Sequence, residues 1–384
     1  MSNDTYLPYG RQEISEQDIS AVCEVLRSSW LTTGPVVEQF EEAVCRATGA
    51  EHGIAVCNGT AALHAAMAAL ELSPGDEVIV PSMTFAATAN CILYQGGTPV
   101  FADVDPDTLL LDPAASEAAI TPRTKAIIGV DYAGQPCDWA ALRAIANRHG
   151  LALVADSCHA IGAEYRGKKV GTLADITLFS FHPVKHITTG EGGMAVTDDE
   201  AMARRMRVFR NHGITTDHRQ REKSSAWFYE MTSLGYNYRL TDIQCALGLS
   251  QLRSLPDWIQ RRNSIAALYD DAFVGKGIQP LARQVDVLHA YHLYVVRLPG
   301  VIRDRVFQHM RNAHIGVNVH YIPVHLHPYY RERLGTREGM CPNAEAAYHD
   351  ILSLPMFPAL TDADIARVAG TLSDYVFETL ERKL

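Results

Sequence analysis

The feature that most constrains this chain is a series of short apolar runs, unbroken rather than alternating, spread through residues 1–250. Glu77-Val-Ile-Val-Pro81, Pro99-Val-Phe-Ala-Asp103, Lys125-Ala-Ile-Ile-Gly-Val130 and Leu151-Ala-Leu-Val-Ala155 are the clearest, with Thr177-Leu-Phe-Ser180 and Met194-Ala-Val-Thr197 as shorter members. A strand with one wet face alternates in polarity, whereas a strand apolar at every position is covered on both faces. Between the runs lie segments of helical period. From Thr60 to Leu70, the residues Leu63, Ala66, Met67 and Leu70 fall at i, i+3, i+4 and i+7. The alternation predicts an α/β domain on a mostly parallel sheet.

From about Leu252 the pattern changes. The charged segment that begins Asp257-Trp-Ile-Gln-Arg-Arg-Asn263 reads as a connecting helix, Leu293 to Leu298 as a strand, and Arg303 to Ala313 as a helix. A chain of 384 residues suits two domains. The expectation is a large α/β domain over 1–250 and a smaller α+β domain over 251–384. The stretch Gly213 to Ser233 is polar and aperiodic, and reads as a long mobile loop.

A net charge of −10 argues against a general affinity for nucleic acid or anionic membranes, while leaving room for a local basic pocket. No apolar stretch approaches the roughly 18 residues a membrane span needs. The start, Met1-Ser-Asn-Asp-Thr5, lacks a basic segment followed by an apolar one, so no secretory signal is expected. The eight cysteines are scattered from Cys23 to Cys341 without a CxxC pair, so no structural metal is expected. They read as small core residues of a cytoplasmic protein.

In an open α/β sheet, ligands sit beyond the carboxyl ends of the strands, so polar residues there come first. Asp156 ends one run. A carboxylate there suits holding a proton on a pyridine nitrogen, and equally suits a helix N-cap. Lys185 lies in Ser180-Phe-His-Pro-Val-Lys-His-Ile-Thr-Thr-Gly-Glu-Gly-Gly193, past a buried strand and before a glycine-rich turn. Desolvation at such a place lowers an amine's pKa and makes it nucleophilic toward an aldehyde; a surface lysine is the plainer reading. Asn58-Gly-Thr-Ala61 opens a helix whose free N–H groups suit a phosphate, with the Thr60 hydroxyl as a further donor. Simple N-capping by Asn58 is the alternative. Ser180 offers another phosphate contact at its strand end. Phe85, in Pro81-Ser-Met-Thr-Phe-Ala86, is either a flat wall for a planar ring or a core aromatic.

Taken in order, the motifs resemble those of the DegT/StrS-type nucleotide-sugar aminotransferases over nearly the whole chain. They are Leu31-Thr-Thr-Gly-Pro35, Asn58-Gly-Thr60, Thr84-Phe85, Asp156-Ser-Cys-His159, Ser180-Phe-His-Pro-Val-Lys185, Gly190-Glu-Gly-Gly193 and Gly235-Tyr-Asn-Tyr-Arg-Leu240. The resemblance implies a fold-type I (aspartate aminotransferase-like) α/β enzyme using pyridoxal 5'-phosphate, with Lys185 as the Schiff-base lysine. Asp156 would pair with the pyridine nitrogen. His159 would meet the ring's phenolic oxygen, at a position that is often glutamine in the family. Gly59, Thr60 and Ser180 would hold the phosphate and Phe85 would stack on the ring. Asn237 would reach the phosphate of a neighbouring subunit, implying a homodimer with shared active sites. Dehydratases of the family carry histidine where Lys185 stands, which disfavours that branch. A ligand-sensing regulator of this fold would need an appended DNA-binding segment, and none is evident.

Three runs narrow the resemblance. They are Phe181-His-Pro-Val-Lys-His-Ile-Thr-Thr-Gly190, Val130-Asp-Tyr-Ala-Gly-Gln-Pro136 and His320-Tyr-Ile-Pro-Val-His-Leu-His-Pro-Tyr-Tyr330. They look most like the branch that aminates C4 of a UDP-linked 4-keto-6-deoxy-N-acetyl-L-altrosamine in pseudaminic acid synthesis, with L-glutamate as donor. Enzymes for GDP- or dTDP-linked keto sugars share much of the pattern. His320, Tyr321 and His325 offer neutral, two-sided hydrogen-bonding groups to a sugar. Thr33 would form a second edge of that cleft, and Arg239 is the candidate for the glutamate carboxylate. Zinc binding by the C-terminal histidines is not expected.

Overall fold

The computed structural model describes residues 6–381 except 217, 218, 220, 222–224, 226 and 299–301. All six expected runs are strands of one sheet. In chain order the sheet strands are β1 (His52–Val56), β2 (Glu77–Pro81), β3 (Thr98–Ala102), β4 (Thr124–Val130), β5 (Ala152–Asp156), β6 (Ile176–Ser180) and β7 (Gly193–Thr197). The seven are ordered β1-β7-β6-β5-β4-β2-β3. Pairs β2–β3, β2–β4, β4–β5 and β5–β6 are parallel, and only β7 runs against its neighbours. Its reversal has a local cause. Residues 181–192 contain no helix to carry the chain back across the sheet, so the chain turns at the carboxyl end of β6 and returns. Lys185 lies in that turn. β1 was not foreseen, because His52-Gly53 interrupts its apolar run.

The helix Gly59–Ala69 follows β1 and is capped by Asn58, whose side chain accepts from the N–H of Ala61 at 2.8 Å. All its residues except Thr60 and Ala68 are buried, so it is a helix covered on every side, which its many alanines permit. Gly193 makes its approach to the sheet possible: a Cβ there would meet the carbonyl oxygen of Asn58 at 2.5 Å.

The expected connecting helix is Leu255–Phe273. It buries Ile259, Ile265, Ala266, Tyr269 and Phe273 at helical spacing, and its Arg262 donates to the carbonyls of Tyr291 and Met356. A second sheet of three strands, Gln279–Pro280, Tyr294–Arg297 and Ile351–Leu354, lies beyond it. Its core includes Tyr269, Val296, Leu352, Val368 and Leu372. Each such side chain fully buried contributes roughly 1.5–3 kcal/mol. Leu7 packs into this core and bridges to Ile315, while Val324, Tyr330 and Ala344 pack into the core of the large sheet. The two larger sheets lie on either side of residues 250 and 251, but a third, small sheet pairs Val287–Leu288 with Glu164–Tyr165 across that point.

The stretch expected as a mobile loop is tied at its base. Ile214 bridges to Met231, Thr215 donates to the carbonyl of Glu230, and Thr232 to that of Gly213. It is also less polar than expected, with Trp227, Phe228, Tyr229 and Met231 all exposed.

Candidate active site

Asp156 is the last residue of β5 and is buried. Its Oδ2 accepts from the Thr88 hydroxyl at 2.7 Å, and Thr88 Oγ1 lies 2.8 Å from Thr84 Oγ1, one helical turn earlier. Thr84-Thr88-Asp156 is thus a chain of hydroxyls ending on a carboxylate. The carboxylate caps no helix, so the capping alternative fails; its nearer neighbour in sequence is the N–H of Cys158 at 3.3 Å.

Lys185 is partly buried in the turn after β6, with its N–H donated to the carbonyl of His182 at 2.9 Å. Burial lowers its amine below the usual range, opposed in part by nearby Cys158 and Asp156. A lowered amine holds more of the neutral, nucleophilic form at neutral pH.

The start of the helix Gly59–Ala69 faces the end of β6. A Cβ on Gly59 would meet Cβ of Ser180 at 3.1 Å and Sγ of Cys158 at 3.3 Å. The helix start and the strand end therefore form one tight cradle, with Thr60 half-buried in the first turn. Asn58 caps the helix, but this leaves the N–H groups of Gly59 and Thr60 without intrahelical partners. Phe85 is 59% exposed, which excludes the core reading and leaves a free aromatic face at the end of β2. His159 is buried, with Nε2 3.1 Å from the Tyr321 hydroxyl and Nδ1 without a partner. Burial, then the charge of Lys185, pushes its pKa well below the usual value. The ring of His292 packs 4.3 Å from that of His159.

Other expected residues lie apart. Thr33 and Arg239 line a cleft of about 320 Å³ with Arg210 and Asn211, and none of Lys185, Asp156, His159 or Tyr321 lines it. Arg239 donates to Asn211 at 2.9 Å. Thr33 adopts φ +56°, and the segment is pinned by Asp242, which accepts from the N–H groups of Gly34 and Val36. Asn237 is exposed and bridges to Asn211 through its backbone.

Two expected sugar contacts are corrected. His325 is fully buried with both ring nitrogens engaged: Nδ1 lies 2.5 Å from Ser82 Oγ and Nε2 2.9 Å from Glu345. Nothing remains for a ligand. His320 is buried too, with Nδ1 2.8 Å from Ser353 Oγ and Nε2 3.3 Å from Asn318. Burial pushes its pKa down to about 4. Its carbonyl also accepts from the Tyr132 hydroxyl. Sequence reasoning missed Thr88 and His292. Thr88 was within reach, one helical turn beyond the Thr84-Phe85 motif.

The residues fit pyridoxal phosphate. The site has a cradle that would crowd a Cβ at Gly59, a buried carboxylate, an exposed aromatic face, a lowered amine and a buried histidine nitrogen without a partner.

The comparisons agree. Residues 12–373 match the DegT/DnrJ/EryC1/StrS aminotransferase family, and the chain belongs to it. It is a pyridoxal-phosphate-dependent aminotransferase of fold type I. The spore coat polysaccharide biosynthesis protein SpsC of Bacillus subtilis is 43% identical over 97% of both chains. Spr1654 of Streptococcus pneumoniae, assigned as a sugar aminotransferase, is 34% identical in its PLP form over 97% of this chain and 99% of its own, with a TM-score of 0.92. It has also been solved in a PMP form. Helicobacter pylori PseC, an aminotransferase of pseudaminic acid biosynthesis, is 34% identical over 98% of this chain and 100% of its own, with a TM-score of 0.91.

Proposed function

We propose that this chain transfers an amino group from L-glutamate to the 4-keto carbon of a UDP-linked 4-keto-6-deoxy-N-acetyl-L-altrosamine. Its broader activity, that of a sugar aminotransferase acting on nucleotide sugars, goes with its family. The observation that carries the chemistry is the lowered amine of Lys185, which feels the charge of Asp156 and of Cys158, the residue that also borders the cradle of Gly59 and Ser180. The sugar is supported by the likeness to PseC and by the three runs that narrow the resemblance.

Pyridoxal phosphate, when bound, supplies an aldehyde that takes up an amino group and a ring that draws electrons from the neighbouring carbon. Asp156, oriented by Thr88, holds a proton on the ring nitrogen. Gly59, Thr60 and Ser180 would hold the phosphate, and Phe85 would cover the ring and exclude water. Lys185 would hold the cofactor through its Nζ, and the same Nζ, when neutral, would be the base that takes the proton from the donor's Cα and gives it back. A positioned base of this kind contributes roughly 10²–10⁴ in rate. Arg239 and Thr33 line a cleft apart from Lys185 and Asp156, so within one chain nothing among the described residues brings them to the donor's carboxylate or to the sugar's edge.

The enzyme is a homodimer in this reading. Asn237 is exposed, without a side-chain hydrogen bond among the described residues, and is thereby available to a second copy. The exposed Trp227, Phe228 and Met231 give a second copy an apolar surface to cover. The compartment is the cytoplasm. All eight cysteines are free, and no helix among the described residues is long and apolar enough to cross a membrane.

The test compares kcat/KM for the UDP-linked N-acetyl sugar with that for dTDP-4-keto-6-deoxyglucose. A site that hydrogen-bonds the acetamido group should favour the first by roughly a hundredfold or more, because its absence leaves buried groups unpaired. Equal efficiency would overturn the altrosamine reading and leave the aminotransferase standing.

A further inference from the structure

Tyr321 comes from the C-terminal part of the chain, yet its hydroxyl lies 3.1 Å from Nε2 of His159, 162 residues away in sequence. It is held there by the segment that follows β2: its N–H donates to Met83 Sδ at 3.3 Å, and its ring lies 6.0 Å from that of Phe85. The bond between Tyr321 and His159 has a direction that chemistry can assign.

Burial, with nearby Tyr132 and Asp156, raises the Tyr321 hydroxyl far above its ordinary value, so at neutral pH it keeps its proton. His159 is neutral, and so has one N–H and one lone pair. Suppose Nε2 carried the proton. Tyr321 would then accept, and its own proton would have no acceptor, since that hydroxyl makes no other hydrogen bond among the described residues. In the opposite arrangement Tyr321 donates to Nε2 and the ring proton sits on Nδ1. Nδ1 is the buried nitrogen that has no partner in the chain. It becomes a donor, available to a ligand oxygen. The ring is clamped as well as polarised. His292 packs against it at 4.3 Å and 41°, and His186 stands 5.7 Å behind His292. His186 is itself tied to the carbonyl of Ala290 through Nε2 at 3.0 Å.

We propose that Tyr321 is a positioning residue that acts through His159: its donated hydroxyl fixes the tautomer in which Nδ1–H meets the phenolic oxygen of the cofactor. This replaces the sugar contact expected for Tyr321, and it rests on the reading of His159 as a cofactor contact.

The test is Tyr321→Phe, which removes one oxygen and keeps the ring, studied in the holoenzyme with ¹⁵N-labelled histidine. The His159 signals are assigned by their loss in His159→Gln. In the unsubstituted protein they should report a protonated Nδ1; in Tyr321→Phe they should move toward a mixture of tautomers. The cofactor should then bind roughly 2- to 13-fold more weakly, the loss of one ordinary hydrogen bond. The pH at which its absorption changes should shift, with the sugar KM within about twofold. Combined with His159→Ala, Tyr321→Phe should cost nothing further, since it acts through the residue already removed. A protonated Nε2 in the unsubstituted protein would overturn the proposal. So would an additive loss in the double variant, or a raised sugar KM with His159 signals and cofactor affinity unchanged. If His159→Ala leaves cofactor affinity and absorption untouched, the cofactor role of His159 fails instead; the tautomer in Tyr321→Phe still judges Tyr321 separately.

Discussion

Two histidine-bearing regions of this molecule invite opposite treatments. At the carboxyl end of the large sheet, Asp156, His159, Ser180 and Lys185 all stand at strand ends or in the turns that follow, and polar groups remain uncommitted there. His159 keeps Nδ1 free of any partner in the chain. In the segment 320–330, which looks equally rich in ligands, the polar groups are largely spent. His325 joins Ser82 to Glu345, and His320 joins Ser353 to Asn318. Strand ends leave side chains at the rim of a rigid sheet, whereas a segment packed between two cores must satisfy its own buried polar groups or lose stability. A histidine can therefore meet a ligand only when at least one of its ring nitrogens lacks a partner in the chain.

Substitutions can break this contrast, and the largest effect belongs to Lys185→Ala. Turnover should fall below detection, and borohydride treatment of the unsubstituted holoenzyme should leave a pyridoxyl group on Lys185 by peptide mass spectrometry. An adduct on another lysine would move the centre of the site. Asp156→Asn comes next. The amide keeps the shape and the Thr88 contact but cannot hold a proton on the ring nitrogen, so single-turnover rates with glutamate should drop roughly 10- to 150-fold, the scale of a hydrogen bond to a charged group. Near-normal rates would remove Asp156 from the chemistry.

His325→Ala probes the other region and should behave differently. Losing the ring leaves Ser82 and Glu345 without their buried partner, at a cost of about 1–3 kcal/mol in stability. Denaturant midpoints should fall while KM for the sugar stays the same. A large rise in sugar KM at unchanged stability would restore His325 to the substrate site and dissolve the contrast.

Much of the architecture was legible because it is written locally. Continuous apolar runs betrayed six strands, and period placed the helix after Asn58 to within a residue of its observed ends. The strand His52–Val56 escaped because its first residues are not apolar, and its partner β7 lies 137 or more residues onward. Lys185 and Asp156 were readable for the same local reason: each follows directly on a recognisable strand. Phe85 was open to two readings, and its exposure removed the core one.

What the sequence by itself determined is therefore the set of elements and the chemistry standing at their ends, since periodicity, capping and strand termination act within a few residues. What only the tertiary structure decided is which polar side chains remain free. Ser82 and His325 are 243 residues apart, and Tyr321 and His159 are 162 apart. A buried imidazole is written the same way whether its nitrogens are answered from across the fold or left for a ligand. Only packing, which brings distant donors and acceptors within about 3 Å, settles which of the two it is.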